Sequence, residues 1–465
     1  MHLDQILTVA QMRAAEDALI AGGISVDDLM QVAGRGTAEW VWRLAAHRRV
    51  TILCGPGNNG GDGYVMAEAI RARGGDVAVV AAIEARTEAA RTARSLFAGE
   101  VLGPDTDLHG DVLVDCLFGS GLTRPLADDL HALFMRFAAR HRQCIAVDVP
   151  SGVHADSGVL LNPELPRFDL TIALGAWKLA HFLMPSSAMM GELKLVDIGV
   201  DAVPGAAAML GAPDIQAPAA DAHKYRRGLL AVVGGAMHGA SLLACKAVQG
   251  AGAGYVKLLA QDQVLNAPFD LVADNGPLVE GLGDSRISAV LCGPGLGRDE
   301  NARERLRLAL DNSAAVVLDA DALVLLDRSD LAARGAEVIA TPHEGELAVL
   351  ERTFRLDGAG TKVERAGQLA AASGMVVVAK GPDTVVASPD GRVACAPRAT
   401  SWLSVAGTGD VLAGTIASRL AAGLPAFEAA CEGVWLHAEA ARRITAPFSA
   451  TDLSCAIRDA AASRL

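Results

Sequence analysis

Short apolar runs recur along the whole chain, and most close on a glycine or a carboxylate before a stretch of helical period begins. In the first half these runs are VTILC (Val50–Cys54), DVAVVAA, DVLVDCLFG, QCIAVDVPSG, DLTIALG and LKLVDIG. Two helices are predicted ahead of them, between about Thr8 and Trp42, with Gly22–Gly23 stopping the first and Ser25 capping the second. VTILC is followed by GPGNNGGDG (Gly55–Gly63), expected as a loop, and by a helix from Tyr64 to about Arg73. Strand, glycine loop and helix in alternation predict a parallel, doubly wound sheet. The second half repeats the pattern with GLLAVVGG, GYVKLLA, SAVLCGPGLG, AVVLDADAL, AEVIATPHEGE and MVVVAKG. A hairpin turning at PDG follows, TVVASPDGRVACAP, and then SVAGTGDVLAG and a helical end. Between the halves, Ala202–Ala222 is rich in Ala, Pro and Gly and reads as a linker.

Composition supports two domains. At 465 residues the chain exceeds one ordinary core. Its 51% hydrophobic content is mostly Ala, Val and Leu, with 4% aromatics, which favours helices packed on parallel strands. The formal charge of −13 argues against a general nucleic-acid surface. The eight cysteines form no CxxC pair, so a zinc site is not expected. Several lie in apolar runs and read as small buried hydrophobes in a reducing cytosol. The N-terminus lacks a secretory pattern, and no apolar run is long enough to span a bilayer, so a cytoplasmic protein is expected.

In a doubly wound sheet the chemistry lies beyond the carboxyl ends of the strands. The first half offers Asn58, Asn59, Asp62, Asp115, Gly119–Pro125, Asp148 and Ser151 there. Gly55, Gly57 and Gly60 spell GxGxxG, but a pyrophosphate turn would not welcome Pro56, two Asn and an Asp, so an ordinary dehydrogenase is not the reading. Asn59, Asp115 and Ser151 are hard oxygen donors suited to an alkali or alkaline-earth ion; the plainer alternative is that they satisfy loop backbone. The second half offers Gly293–Gly297, Asp319, Asp321, His343, Glu346, Lys380, Thr384 and Asp410. Its central stretch is Ser404–Gly414, where Gly407 and Gly409 let a helix start close to an anion. Asp410 in that turn would repel a phosphate, which makes sense if it handles a proton beside one; otherwise it caps the helix.

GPGNNGGDGYVMA, VDCLFGSGLTRP and VDVPSGV resemble the NAD(P)H-hydrate epimerase domain. GPGLG, LDADAL, TPHEGE, KGPDTVV and AGTGDVLAG resemble the ADP/ATP-dependent NAD(P)H-hydrate dehydratase branch of the ribokinase-like fold. The resemblance implies an α/β fold with a Rossmann-like three-layer sandwich over 1–210 and a ribokinase-like domain over 221–465. It implies repair of hydrated nicotinamide cofactors (NADHX and NADPHX): one domain interconverts the R and S epimers, and the other dehydrates the S epimer at the expense of ADP or ATP. Epimerase substrate contacts would fall on Asn58, Asn59, Gly60, Gly61, Asp62, Gly119, Ser120, Gly121, Leu122, Thr123, Arg124, Pro125 and Asp148, with Asp148 as the proton-transfer residue. A potassium ion would fall on Asn59, Asp115 and Ser151. In the dehydratase, Ala240, Gly295, His343 and Asp410 would contact the hydrate, with Asp410 catalytic. Lys380, Gly381, Pro382, Asp383, Thr384 and Gly409 would bind the nucleotide, accompanied by magnesium. For His343 the plainer alternative is a helix cap. Glu344 stands where this branch usually has Pro, which bears on the local loop shape. The expected partners are small molecules, with no nucleic acid and no membrane, in a homo-oligomer. The competing reading is a vitamin-type kinase with a non-catalytic N-terminal domain.

Overall fold

The computed structural model describes residues 4–265, 267–332 and 334–465. It divides into two compact units, Met1–Ala208 and Met209–Leu465.

The first unit is built on seven strands: β1 (Val50–Cys54), β2 (Val77–Ala81), β3 (Val101–Leu102), β4 (Gly110–Cys116), β5 (His141–Val147), β6 (Leu170–Leu174) and β7 (Glu192–Val196). They run in the order 3-2-1-4-5-6-7, every neighbouring pair parallel. Alternate residues of one strand serve opposite faces. Ile52 and Cys54 enter one core with Tyr64, Met66 and Ile70. Leu53 enters the other with Phe134 and Phe137. Both faces are therefore covered, which is why the strands read as unbroken apolar runs. The helices are α1 (Val9–Ala21), α2 (Val26–Ala45), α3 (Asn58–Ala72), α4 (Glu88–Leu96) and α5 (Asp128–Ala139). Thr8 and Ser25 close capping boxes at the starts of α1 and α2.

One expectation is corrected. The stretch NNGGDG is not a loop but the opening of α3, which starts at Asn58 rather than at Tyr64. Glycines are poor helix formers, yet packing decides here. A methyl on Gly60 would sit 2.1 Å from the Gly55 carbonyl oxygen, and one on Gly63 would sit 2.9 Å from Cys54 Sγ. Only bare backbone lets the helix start this close to the strand it leaves.

In the second unit the strands are β8 (Leu229–Val233), β9 (Tyr255–Leu259), β10 (Val272–Asp274), β11 (Ile287–Cys292), β12 (Ala315–Leu318), β13 (Val338–Ala340), β14 (Val376–Ala379), β15 (Val385–Ala387) and β16 (Val393–Cys395). Their order is 16-15-14-13-12-11-8-9-10. The run from β10 to β14 is parallel. The sequence-predicted hairpin adds β15 and β16 antiparallel at one end. The helices that matter for the site are α6 (His238–Gly250), α7 (Leu278–Leu282), α8 (Glu300–Asp311), α9 (Asp321–Leu325), α10 (Glu344–Thr353), α11 (Lys362–Ser373), α12 (Thr408–Ala421), α13 (Ala426–Arg443) and α14 (Ala450–Ala462). Ala413, Ile416, Ala417 and Leu420 of α12 pack with Ala244, Cys245 and Val248 of α6 over the strands, in one buried core.

Candidate active sites

Strand ends in the first unit gather three buried carboxyl groups with different surroundings. Asp115, the penultimate residue of β4, has both oxygens occupied. Oδ1 accepts from the Leu117 N–H (3.1 Å) and the Ser151 hydroxyl (2.7 Å), and Oδ2 from the Ser151 N–H (2.8 Å). Burial nevertheless pushes its pKa up to about 6. Asn59 lies in the first turn of α3, against the end of β5. Its amide donates weakly to the Val147 carbonyl (3.4 Å), while its Oδ1 is buried and lacks a hydrogen-bond partner. A buried amide oxygen without a partner, together with the carboxylate and hydroxyl of the bonded Asp115–Ser151 pair, is a donor set of the kind that fits a hard monovalent or divalent cation.

Asp148 follows β5 and holds a left-handed backbone (φ 65°), unusual for a non-glycine residue. Its Oδ1 receives the Lys178 ammonium at 2.6 Å and its Oδ2 the Ser120 N–H at 2.7 Å. Burial pushes its pKa up, but the Lys178 charge and these donated bonds outweigh burial and hold it below the usual carboxylate range. Asp62, on α3, receives no hydrogen bond among the described residues. Burial, with Asp148 and Glu16 adding repulsion, pushes its pKa well up. Two carboxyls with opposite protonation preferences can divide base and acid duties.

Lys178, His181, Glu16 and Arg13 are site residues that sequence reasoning missed. The signal for Lys178 was present, a lysine inside the apolar run LGAWKLAHFL, but only topology brings it to Asp148. Arg13 of α1 lies at the glycine loop, since a methyl on Gly121 would be 3.5 Å from its Nη2. In that loop Leu122 faces the core with Leu117 and Leu126, leaving only its backbone for a ligand, while Thr123, Arg124 and Pro125 are exposed.

The second unit's site forms around the start of α12. Gly407 is the residue before the helix, at φ 92°, a conformation that favours glycine, and no side chain caps the turn. The Thr408 N–H donates to the Val405 carbonyl (3.4 Å), and no side chain takes up the N–H groups that follow. Asp410 occupies the third helical position and makes no hydrogen bond among the described residues, so it is not a cap. Burial and the nearby Asp319 push its pKa to about 6, with Lys380 pulling the other way. Lys380 lies close by: a methyl on Gly409 would be 3.6 Å from its Nζ. The ammonium binds Asp319 at 2.5 Å and lies 3.8 Å from Glu346. Asp319 is itself fixed by the Thr341 hydroxyl (2.6 Å). The Lys380 N–H donates to the Pro342 carbonyl (2.8 Å), tying the TPHEGE loop to the same end of the sheet.

Other expected residues are brought together unevenly. Ala240, in the first turn of α6, adjoins Gly295, whose added methyl would lie 3.2 Å from Ala240 Cβ. Asp383 is engaged by Lys362 (2.6 Å), and Thr384 bonds back to the Gly381 carbonyl (2.9 Å), so the KGPDT turn presents mainly backbone. His343 does cap α10: its Nδ1 accepts from the Gly345 N–H (3.0 Å) and the Glu346 N–H (3.3 Å). Its ring stays 62% exposed, with Nε2 lying 3.3 Å from Glu346 Oε1. Glu344 is the first residue of α10. That position suits proline and acidic residues alike, so the departure leaves the helix start intact.

Among the described residues, no helix is long and apolar enough to cross a membrane. No cluster of three or more His, Cys, Asp or Glu side chains could hold a metal there.

Residues 230–462 match the family model described as NAD(P)H-hydrate dehydratase. Residues 26–180 match the one described as YjeF-related protein N-terminus. Over 445 residues the chain is 35% identical to the bifunctional NAD(P)H-hydrate repair enzyme Nnr of Mycobacterium tuberculosis strain H37Rv, covering 91% of this chain and 90% of that protein. It is 32% identical over 475 residues to the protein of the same name from Thermosynechococcus vestitus, covering 94% and 92%. A solved ADP/ATP-dependent NAD(P)H-hydrate dehydratase from Bacillus subtilis, co-crystallised with ATP/Mg2+, is 26% identical, covers 54% of this chain and 95% of its own, and superposes with a TM-score of 0.47.

Proposed function

The chain belongs to the family of bifunctional NAD(P)H-hydrate repair enzymes, and from that premise we propose that residues 1–210 epimerise NAD(P)H hydrate while residues 221–465 dehydrate the S epimer. The observation that most supports this division is that each unit holds an aspartate, buried in the first (Asp148) and half-buried in the second (Asp410), with a lysine close by at its own strand ends.

In the dehydratase, the open N–H groups at Gly409 and the KGPDT backbone (Lys380–Thr384) hold the nucleotide phosphates. Ala240, Gly295 and His343 hold the hydrate. Asp410 takes the proton of the hydrate hydroxyl as that oxygen attacks the terminal phosphoryl group of ADP or ATP. AMP or ADP leaves, and loss of inorganic phosphate with a ring proton restores the dihydronicotinamide. Magnesium, when bound with the nucleotide, supplies charge neutralisation on the phosphates. In the epimerase, Asn58–Asp62 and Gly119–Pro125 surround the hydrated ring, and Asp148 moves the proton that lets the carbinol carbon lose its configuration. Asn59, Asp115 and Ser151 hold potassium, a reading supported by the unpartnered Asn59 oxygen. Bound there, the ion supplies a fixed positive charge beside the strand ends.

A cytosolic setting is part of the same proposal, supported by six buried free thiols. So is a homo-oligomer, supported by the exposed Ile20, Ile24, Val26 and Val32 on α1, α2 and their connection.

The test is absorbance at 340 nm on mixed-epimer NADH hydrate with magnesium, with and without ADP or ATP. A nucleotide-dependent rise continuing past one epimer's share is expected. A rise stopping at that share would make the first unit a binding module, and a stable phosphorylated product with no rise would indicate a kinase.

A further inference from the structure

Lys178 is the residue the assigned chemistry leaves unexplained. Its side chain is 1% exposed, in a segment whose neighbours Leu179, Ala180, Phe182 and Leu183 are all buried. Burying an ammonium is costly unless it is paired and hydrogen-bonded. Here it is both, to Asp148 Oδ1 at 2.6 Å and to the Leu174 carbonyl at 2.7 Å, the last residue of β6. The next turn holds it in place. The Lys178 N–H donates to His181 Nδ1 (2.9 Å), which leaves the ring proton on Nε2, donated to the Asp148 carbonyl oxygen (2.8 Å). Burial, with Lys178 nearby, keeps His181 neutral, its pKa lowered to about 4. Lys178 and His181 thus grip one residue from side chain and backbone together, and that residue carries the left-handed φ.

A purely structural ion pair would not need the partner at the mouth of a ligand site. The other groups acting on Asp148 sharpen the point. Asp62 from α3 and Glu16 from α1 are acidic, and the Asp148 charge pushes the pKa of each of them up; Ser120 supports that charge only by hydrogen bonding. Lys178 is the cation among them that touches it.

We propose that Lys178 is a positioning residue for epimerisation, keeping the Asp148 carboxylate ionised and aimed into the site among acidic neighbours. The inference rests on the reading of the first unit as the epimerase. Without Lys178, only the Ser120 hydrogen bonds would oppose the burial that favours the neutral carboxyl, and Asp148 would hold a proton through the mildly acidic range.

The experiment measures the slow, second phase of NADH-hydrate repair by the full chain between pH 5 and 8, for the native chain, Lys178→Met and Lys178→Arg. An excess of Asp148→Ala chain supplies dehydration, so that epimerisation limits. The native chain should show a flat profile. Lys178→Met should show an acid limb displaced upward by about one to three pH units. At pH 5 the upper end of that range is a loss of about ten-fold, carried by kcat rather than KM. Lys178→Arg keeps the cation and should retain the native limb. A Lys178→Met profile that is flat, or lowered equally at every pH, overturns the proposal. If Lys178→Met does not fold, Lys178→Arg decides: a native limb supports the charge role, and a displaced limb overturns it. A native chain with no second phase at all would instead remove the epimerase reading beneath it.

Discussion

The two units set the same pair of residue types, an aspartate and a lysine, to opposite electrostatic ends. In the first, Lys178 sits directly on Asp148, and the carboxyl is held below its usual range. In the second, Lys380 is claimed by Asp319 and Glu346, and Asp410 is left without a hydrogen bond, its pKa pushed to about 6 by burial and by Asp319. Burial alone does not decide what a buried carboxyl does; the cation's nearest partner does. An aspartate near 6 is poised to take a hydroxyl proton near neutral pH and to give it up again. One held low rests ionised, ready as a base that takes a proton only transiently.

The comparison is broken most directly by removing the two aspartates in turn. Asp410→Asn should lower nucleotide-dependent dehydration by about 10²–10⁴-fold while leaving epimerisation intact. It is read as loss of the first phase at 340 nm, with epimer exchange followed by chromatography. Equal loss of both activities would mean the units are wrongly assigned. Asp148→Ala should do the reverse, slowing only the second phase, by about 10²-fold. Mixed hydrate consumed at one undiminished rate would clear Asp148 of any role. A smaller effect tests who owns the lysine. Asp319→Asn removes the charge that repels Asp410 and frees Lys380 toward it. The acid limb of dehydration should then move down by about one pH unit. An unmoved limb would show that Asp319 does not set Asp410.

How much of this could be read from the sequence depends on the range of each determinant. The strands were legible because both sheet faces are covered, so Val50–Cys54 and its counterparts are apolar throughout. The turn at Gly407 was legible because a left-handed residue before a helix has a local signature. The start of α3 was not, because the glycines of NNGGDG look like loop until β1 is known to pass within touching distance of them. Lys178 was missed for the same kind of reason. Its partner is 30 positions away, and nothing local marks it as a charge facing a site. Of the two alternatives for His343, cap or ligand, the structure realises the cap on Nδ1, while Nε2 lies 3.3 Å from Glu346 Oε1 on a ring that is otherwise exposed.

The smallest effect returns to Asp410 and concerns stability rather than rate. Its folded pKa of about 6 lies above its ordinary 3.8, so the folded state binds the proton more tightly than the unfolded chain does. That contribution to stability is fully present below pH 3.8 and is lost as the pH rises through about 6. The ligand-free chain at pH 8 therefore holds an ionised Asp410 at a cost that neutral asparagine avoids. Two pH units correspond to at most about 3 kcal/mol, and partial exposure brings the expected gain nearer about 1 kcal/mol. For a unit of this size that is about 2–4 °C in the midpoint of Asp410→Asn at pH 8, shrinking to nothing at pH 4. Calorimetry at the two pH values checks it. A midpoint lowered at both would instead mean that the carboxylate supports the start of α12, which is the capping role the geometry argues against.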